Sequence, residues 1–192
     1  IAVAVLTNVF VATASIFQSR YLKDIRDFSP LEISLFITIT TIPATVGLVA
    51  GGRLADKVGR KIVAVATVPT GTMLYALSFT TQGAAMWFFA IVGGILLGIS
   101  YPAMAVFRSE LFPTAHRNMA SALIMVASLI GGSVGLIGAG MLLDDGMSYG
   151  RVMMTFALGP ILVAVLVALR YPETAHLELE TINPEDAHLK SL

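Results

Sequence analysis

Apolar residues run almost unbroken along most of the chain and are interrupted at intervals by short polar clusters. Stretches without Asp, Glu, Lys, Arg or His cover residues 1–19, 33–52, 62–107, 118–143 and 152–169, which are 19, 20, 46, 26 and 18 residues long. A helix needs roughly 20 predominantly apolar residues to cross a bilayer. The 46-residue stretch therefore holds two crossings, hinged at the polar Thr80-Thr81-Gln82-Gly83 in its middle. The pattern predicts an all-α integral membrane fold of six transmembrane helices at about 1–19, 31–50, 62–79, 84–107, 119–143 and 152–169. Residues 1–170 form the expected bundle, and 171–192 a polar tail.

Composition narrows the class further. With 56% hydrophobic and 12% charged residues and a mean hydropathy of +0.84, the chain carries more apolar side chain than a water-soluble enzyme of 192 residues can bury. Twelve basic residues balance twelve acidic ones, so charge gives no reason to expect a nucleic-acid partner. The absence of cysteine excludes disulfides, thiolate metal sites and cysteine nucleophiles. Ile1 already lies inside an apolar run with no basic segment before it, and the expectation is a piece of a longer polypeptide.

Six crossings place alternate connections on opposite sides. One side collects Arg53, Lys57, Arg60, Lys61, Arg108, Arg117, Arg170 and Lys190, against Arg20, Lys23, Arg26 and Arg151 on the other. The richer side is expected to be cytoplasmic, with both ends of the segment and the tail on it.

Apart from Glu32 at the mouth of the second, the predicted crossings contain no Asp, Glu, Lys, Arg or His, so a proton relay has no evident carrier within them. Their polar residues nevertheless follow helical spacing. Ser34, Thr38, Thr41 and Thr45 share one face, as do Asn8, Ala12, Ser15 and Ser19. Such stripes serve either helix packing or a watery path. An amide in hydrocarbon is costly without partners, which makes Asn8 the strongest candidate to face a cavity. Glycine pairs at four-residue spacing, Gly47/Gly51, Gly94/Gly98 and Gly131/Gly135, predict close helix contacts. Pro43, Pro69, Pro102 and Pro160 permit kinks.

The most informative segment is GGRLADKVGRK, between the second and third crossings. Gly52 is expected to allow close packing, Asp56 to cap a helix or meet a cation, and Gly59 to permit a sharp turn, with Arg60 and Lys61 holding the loop on the positive side. The order Gly52, Leu54, Ala55, Asp56, Gly59, Arg60, Lys61 resembles the cytoplasmic loop signature of the major facilitator superfamily. RSELFPTAHR, with Glu110, Pro113 and Arg117, resembles the segment after the tenth helix of sugar and metabolite porters in that family. YPETAHLELE resembles the close of sugar porters, with Ala175-His176 replacing the usual Lys-Gly. The resemblance covers the whole chain and implies the C-terminal six-helix half of a twelve-helix transporter.

The first crossing lacks the paired glutamines of sugar porters, and Tyr101-Pro102 stands where a Trp is usual. Sugars are thus not favoured over carboxylates, amino acids or other small metabolites. The resemblance implies secondary active transport of a small organic solute by alternating access, with a proton as the coupling ion and the N-terminal half as structural partner, in the lipid of the plasma membrane. Drug or metabolite efflux on the same fold, and a six-helix channel, are the rival readings. Gly131-Leu-Ser133-Val-Gly135 would not make a nucleophilic serine, because His116, His176 and His188 all lie outside the crossings. No metal-ligand spacing or phosphate-binding loop is present, so no metal, cofactor or enzymatic chemistry is expected. Two groups of candidate residues result. Gly52, Asp56, Gly59, Arg60, Lys61, Glu110 and Arg117 would form a conformational charge cluster. Asn8, Ser15, Thr38, Thr41 and Tyr101 would line the solute path.

Overall fold

The computed structural model describes the backbone of residues 1–110 and 117–171, and the side chains of 1–105 and 118–171. It is built from helices α1 (Ala2–Arg26), α2 (Pro30–Val58), α3 (Arg60–Leu77), α4 (Gly83–Glu110), α5 (Arg117–Asp144) and α6 (Tyr149–Arg170). Each predicted crossing corresponds to one helix, although α1 begins at Ala2 and α3 ends at Leu77, two residues short of the expected 79. The polar tail, apart from Tyr171, lies outside the described residues.

The helices overrun the predicted crossings at several ends. Of the expected connections, the one after the first crossing shrinks to residues 27–29, and the next to Gly59 alone. A helix of 25 to 29 residues is about 38 to 44 Å long, which exceeds the roughly 30 Å hydrocarbon core and reaches into both interfaces. There Leu, Lys and Arg are good helix formers, so polarity ends the hydrophobic run without ending the helix.

Local chemistry sets the breaks that remain. Asp27 closes α1 in the left-handed conformation at φ 55°. Ser29 opens α2 with a capping box, in which its hydroxyl accepts from the Glu32 amide and the Glu32 carboxylate accepts from the Ser29 amide, and Pro30 follows in the first turn. Gly59 turns the chain from α2 to α3 at φ 115°, a conformation that a Cβ would strain.

All the described helices except α3 are long and apolar enough to cross a membrane. The exception has 18 residues and begins on Arg60-Lys61. It still runs the length of the bundle, about 27 Å at the usual rise. Its first turns pack with Ala55, Ala103, Val163 and Val167 in one buried cluster, whereas Ala76 near its end packs with Phe10, Phe17, Tyr21, Phe36 and Met153 in another. The clusters draw on opposite ends of successive helices, as an up-and-down bundle requires.

Helix contacts reveal an internal two-fold pattern. α1 packs on α5 and α6, α4 packs on α2 and α3, and α3 packs on α6. Exchanging the first three helices for the last three reproduces this set. The glycine seams repeat it at residue level. A Cβ on Gly47 would lie 2.6 Å from the Ile95 carbonyl oxygen, and one on Gly131 would lie 2.6 Å from that of Val5. One turn on, Gly51 presses on Ile99 and Gly135 on Val9; Gly71 meets Leu96 and Gly159 meets Leu6. Val5, Leu6 and Val9 in α1 thus take the places of Ile95, Leu96 and Ile99 in α4. The expected close seams are present, because glycine lets backbones meet where any side chain would hold them apart. One expectation needs correction. At the end of α2 the close approach belongs to Gly51, and a Cβ on Gly52 would meet nothing nearer than the Pro102 Cβ at 4.0 Å.

Candidate functional site

The end of the bundle that carries the α2–α3 turn is basic. Asp56 in the last turn of α2 accepts a hydrogen bond from Arg60 Nη2 at 3.4 Å across the Gly59 turn. Arg60 is largely covered at 17% exposure while Asp56 remains 67% exposed, so the carboxylate stays open to a second cation. Asp56 does not cap α3, whose N-cap Gly59 has no side-chain bond. Lys61 is half-buried beside it. Glu110 and Arg117 end α4 and begin α5. Their side chains lie outside the described residues, and so does the expected contact between the two loops.

The solute-path candidates lie on three helices. Ser15, Thr38 and Thr41 are exposed, and Tyr101 is exposed to 61%. Ser15 donates to the Val11 carbonyl at 2.7 Å and Thr38 to that of Ser34 at 2.8 Å. Ser34 and Thr45 bond backward along α2 in the same way. The hydroxyls of Ser15, Ser34, Thr38 and Thr45 are satisfied by their own helices and keep acceptor capacity for another partner. Asn8 is different. Its amide Nδ2 donates to the Ser128 carbonyl of α5, next to the space that Gly132 leaves empty. The residue singled out as most cavity-facing is half-buried in the α1–α5 seam and ties the two helices together. The repeat relates α1 to α4 so that Tyr101 takes the place of Val11, which lies between Asn8 and Ser15 on an exposed face. These polar faces of α1 and α4 are therefore equivalent surfaces of the two repeats.

Sequence reasoning missed the polar ties at the opposite end. Gln18 is buried in α1 and accepts from the Tyr75 hydroxyl of α3 at 2.5 Å. Arg26 donates to the Tyr21 hydroxyl through Nε at 2.9 Å and to the Thr81 carbonyl at 2.6 Å. Tyr149 at the start of α6 donates to Asp24 at 3.4 Å. A helical-wheel signal existed for Gln18 and Tyr21, which share a face with Ala14 and Phe10. The partners are 55 to 125 residues away in sequence, and no local spacing announces them.

Among the described residues, two repeats of three helices that run in opposite senses make an inverted-repeat helical bundle with a basic α2–α3 turn at one end. The chain matches the model of the Major Facilitator Superfamily over residues 1–191, and it belongs to that superfamily. It is thus a multi-pass membrane protein of a transporter family. It is 28% identical over 163 residues to a cis,cis-muconate transport protein of Acinetobacter baylyi, a match covering 82% of this chain and 38% of that one. It is 29% identical over 143 residues to a gentisate transporter of Corynebacterium glutamicum, covering 69% and 32%. It is 25% identical over 165 residues to an arabinose-proton symporter of Bacillus subtilis, covering 80% and 35%. The chain spans about a third of the length of these relatives.

Proposed function

We propose that the chain is the C-terminal six-helix half of a secondary transporter that moves a small organic solute through the plasma membrane by alternating access. The observation that carries this reading is the pair of exposed polar faces on equivalent helices of the two repeats, with Ser15 on one and Tyr101 on the other. Hydroxyls on several helices need a wet cavity or a facing protein surface, because lipid tails offer them no partner. A preceding six-helix half supplies that surface, and solute binds between the halves. Thr38 and Thr41 on α2 complete the wall on this side, with Asn8 at the edge of the α1–α5 seam.

Rocking of the two halves exposes the site to one side and then the other. Asp56 and Arg60 latch one of these states, with Glu110 and Arg117 as their counterparts on the α4–α5 connection and Gly52, Gly59 and Lys61 shaping the turn. The end that bears this turn faces the cytoplasm, together with both ends of the segment. A proton is the coupling ion, and its carrier belongs to the other half, because the central turns of these helices hold no ionisable group of the kind. No bond in the solute is broken, so the protein is not an enzyme. Relatives named for muconate, gentisate and arabinose put organic acids first in a solute screen, with sugars alongside. Uptake of such solutes into proteoliposomes holding the full-length transporter, with and without an imposed pH gradient, tests the reading. Saturable uptake that follows the gradient supports it, and conductance without saturation would favour the channel reading instead.

A further inference from the structure

A cleft of about 800 Å³ opens at the end of the bundle opposite the α2–α3 turn. Its walls are the last turns of α1, the α3–α4 connection, and the α5–α6 connection with the first turn of α6. Phe17, Tyr21 and Phe79 form an aromatic floor that is itself only 3 to 5% exposed. Tyr149 closes the floor, with its ring centroid 5.8 Å from that of Tyr21 and 6.3 Å from that of Phe17.

Guanidinium groups stand over this floor. Arg26 lies 5.1 Å from the Tyr21 ring centroid and is pinned there by its bonds to Tyr21 and Thr81. Arg20 lies 5.9 Å from the centroid of Phe17, and its charge reaches the Tyr149 hydroxyl. Arg151 lines the cleft from the first turn of α6 and is exposed. Against these three cations the lining offers one carboxylate, Asp144. Asp24 stands just outside it, held by the Tyr149 hydroxyl. Three guanidinium groups against Asp144 leave the lining an excess of positive charge, which raises the local concentration of anions. The volume is within the range of small-molecule sites.

The chemistry selects among small solutes. A guanidinium matches a carboxylate with two parallel hydrogen bonds, and the half-buried ring of Tyr149 offers a planar body a face to lie against. Recognition of a polyhydroxylated sugar calls for many side-chain acceptors and donors, and here Gln82, Ser148 and Thr80 are the neutral polar side chains of the lining besides the tyrosines. We propose that this cleft is a capture vestibule for small carboxylates with a flat apolar body, of the benzoate type. The proposal rests on the transport reading for its purpose, since capture at this mouth raises the local solute concentration before entry to the pathway.

The test is equilibrium binding of benzoate and of its neutral isostere benzamide to the full-length transporter in nanodiscs. The parent is expected to prefer benzoate by about tenfold or more, and Arg20→Gln with Arg151→Gln to remove most of that preference while leaving benzamide unchanged. Both arginines are exposed, so these changes spare the packed floor. Raising salt from about 20 to about 300 mM weakens benzoate binding to the parent and affects the double variant far less. Arg20→Lys with Arg151→Lys, which keeps the charge and loses the two-pronged fork, is expected to keep only part of the preference. Retention of the full preference by the Gln variant would overturn the proposal, as would inorganic phosphate displacing benzoate as well as benzoate itself does. Uptake by the parent together with benzoate binding indifferent to the arginines would sink the vestibule and leave transport standing. Arginine-dependent binding with no uptake of any solute would do the reverse.

Discussion

Two adjacent glycines at the end of α2 offer the sharpest test of how the bundle is held together. A Cβ placed on Gly51 would lie 2.6 Å from the Cα of Ile99 and 2.8 Å from its carbonyl carbon. Ordinary carbon contacts are about 3.5–4.0 Å, so α2 and α4 must separate locally by about 1 Å to admit one methyl group. Overpacking of this kind costs about 1–3 kcal/mol, and the helical preference for Ala over Gly returns about 0.5–1 kcal/mol. The net loss for Gly51→Ala therefore lies between about 0 and 2.5 kcal/mol, centred on about 1 kcal/mol. At about 2–4 °C per kcal/mol for a body of this size, the melting temperature falls by about 2–5 °C at the centre of that range and by about 10 °C at its upper end. Gly52→Ala meets only the Pro102 Cβ at 4.0 Å and should hold or raise the melting temperature. Thermal scanning of both variants in one detergent gives the comparison. Equal losses at the two positions, or a larger loss at Gly52, would refute the assignment of the close approach to Gly51.

Other outcomes follow from the site. Asp56→Asn removes an exposed ion pair worth at most about 1 kcal/mol, so melting should barely move while uptake by the full-length transporter falls by about tenfold or more; a parallel loss of folded protein would reduce Asp56 to a structural role. Cysteine at Thr38, in a chain with no native cysteine, should react with a membrane-impermeant thiol reagent and do so more slowly with solute present, and complete inertness would place that face against protein. Asn8→Ala loses the bond to the Ser128 carbonyl and should lower stability by about 0.5–1.5 kcal/mol, read by thermal scanning, whereas an unchanged melting temperature would argue that the tie contributes nothing to the α1–α5 seam.

What could be read from the chain was whatever is written in local periodicity. The lengths of the apolar runs gave the crossings, glycine spacing gave the seams, and the GGRLADKVGRK loop carried the family resemblance. Helix ends were read too short, because Lys23, Arg26 and Lys57 end a hydrophobic run while continuing a helix into the interface. The spacing from Gly47 marks Gly51 as the seam glycine, whereas Gly52 was given close packing only from its place in the loop motif, and one residue on it is turned away from the Ile99 backbone. Asn8 was read as facing a cavity because amides are costly in lipid, but the same cost is met equally well by a carbonyl across a seam. The arginine-rimmed cleft was invisible, since it needs Arg151 of α6 brought beside Arg20 and Arg26 of α1, and all three counted in the sequence only as markers of orientation.

The central claim is that these six helices are one of two bodies that must move about a shared site. The most direct measurement reconstitutes the 192-residue chain alone, and then together with the separately expressed preceding six helices, and follows uptake of a solute that the full-length transporter carries. The account predicts no saturable uptake from the chain alone and recovery of saturable uptake when both parts are present. Robust, saturable uptake by the purified chain as a monomer would contradict it.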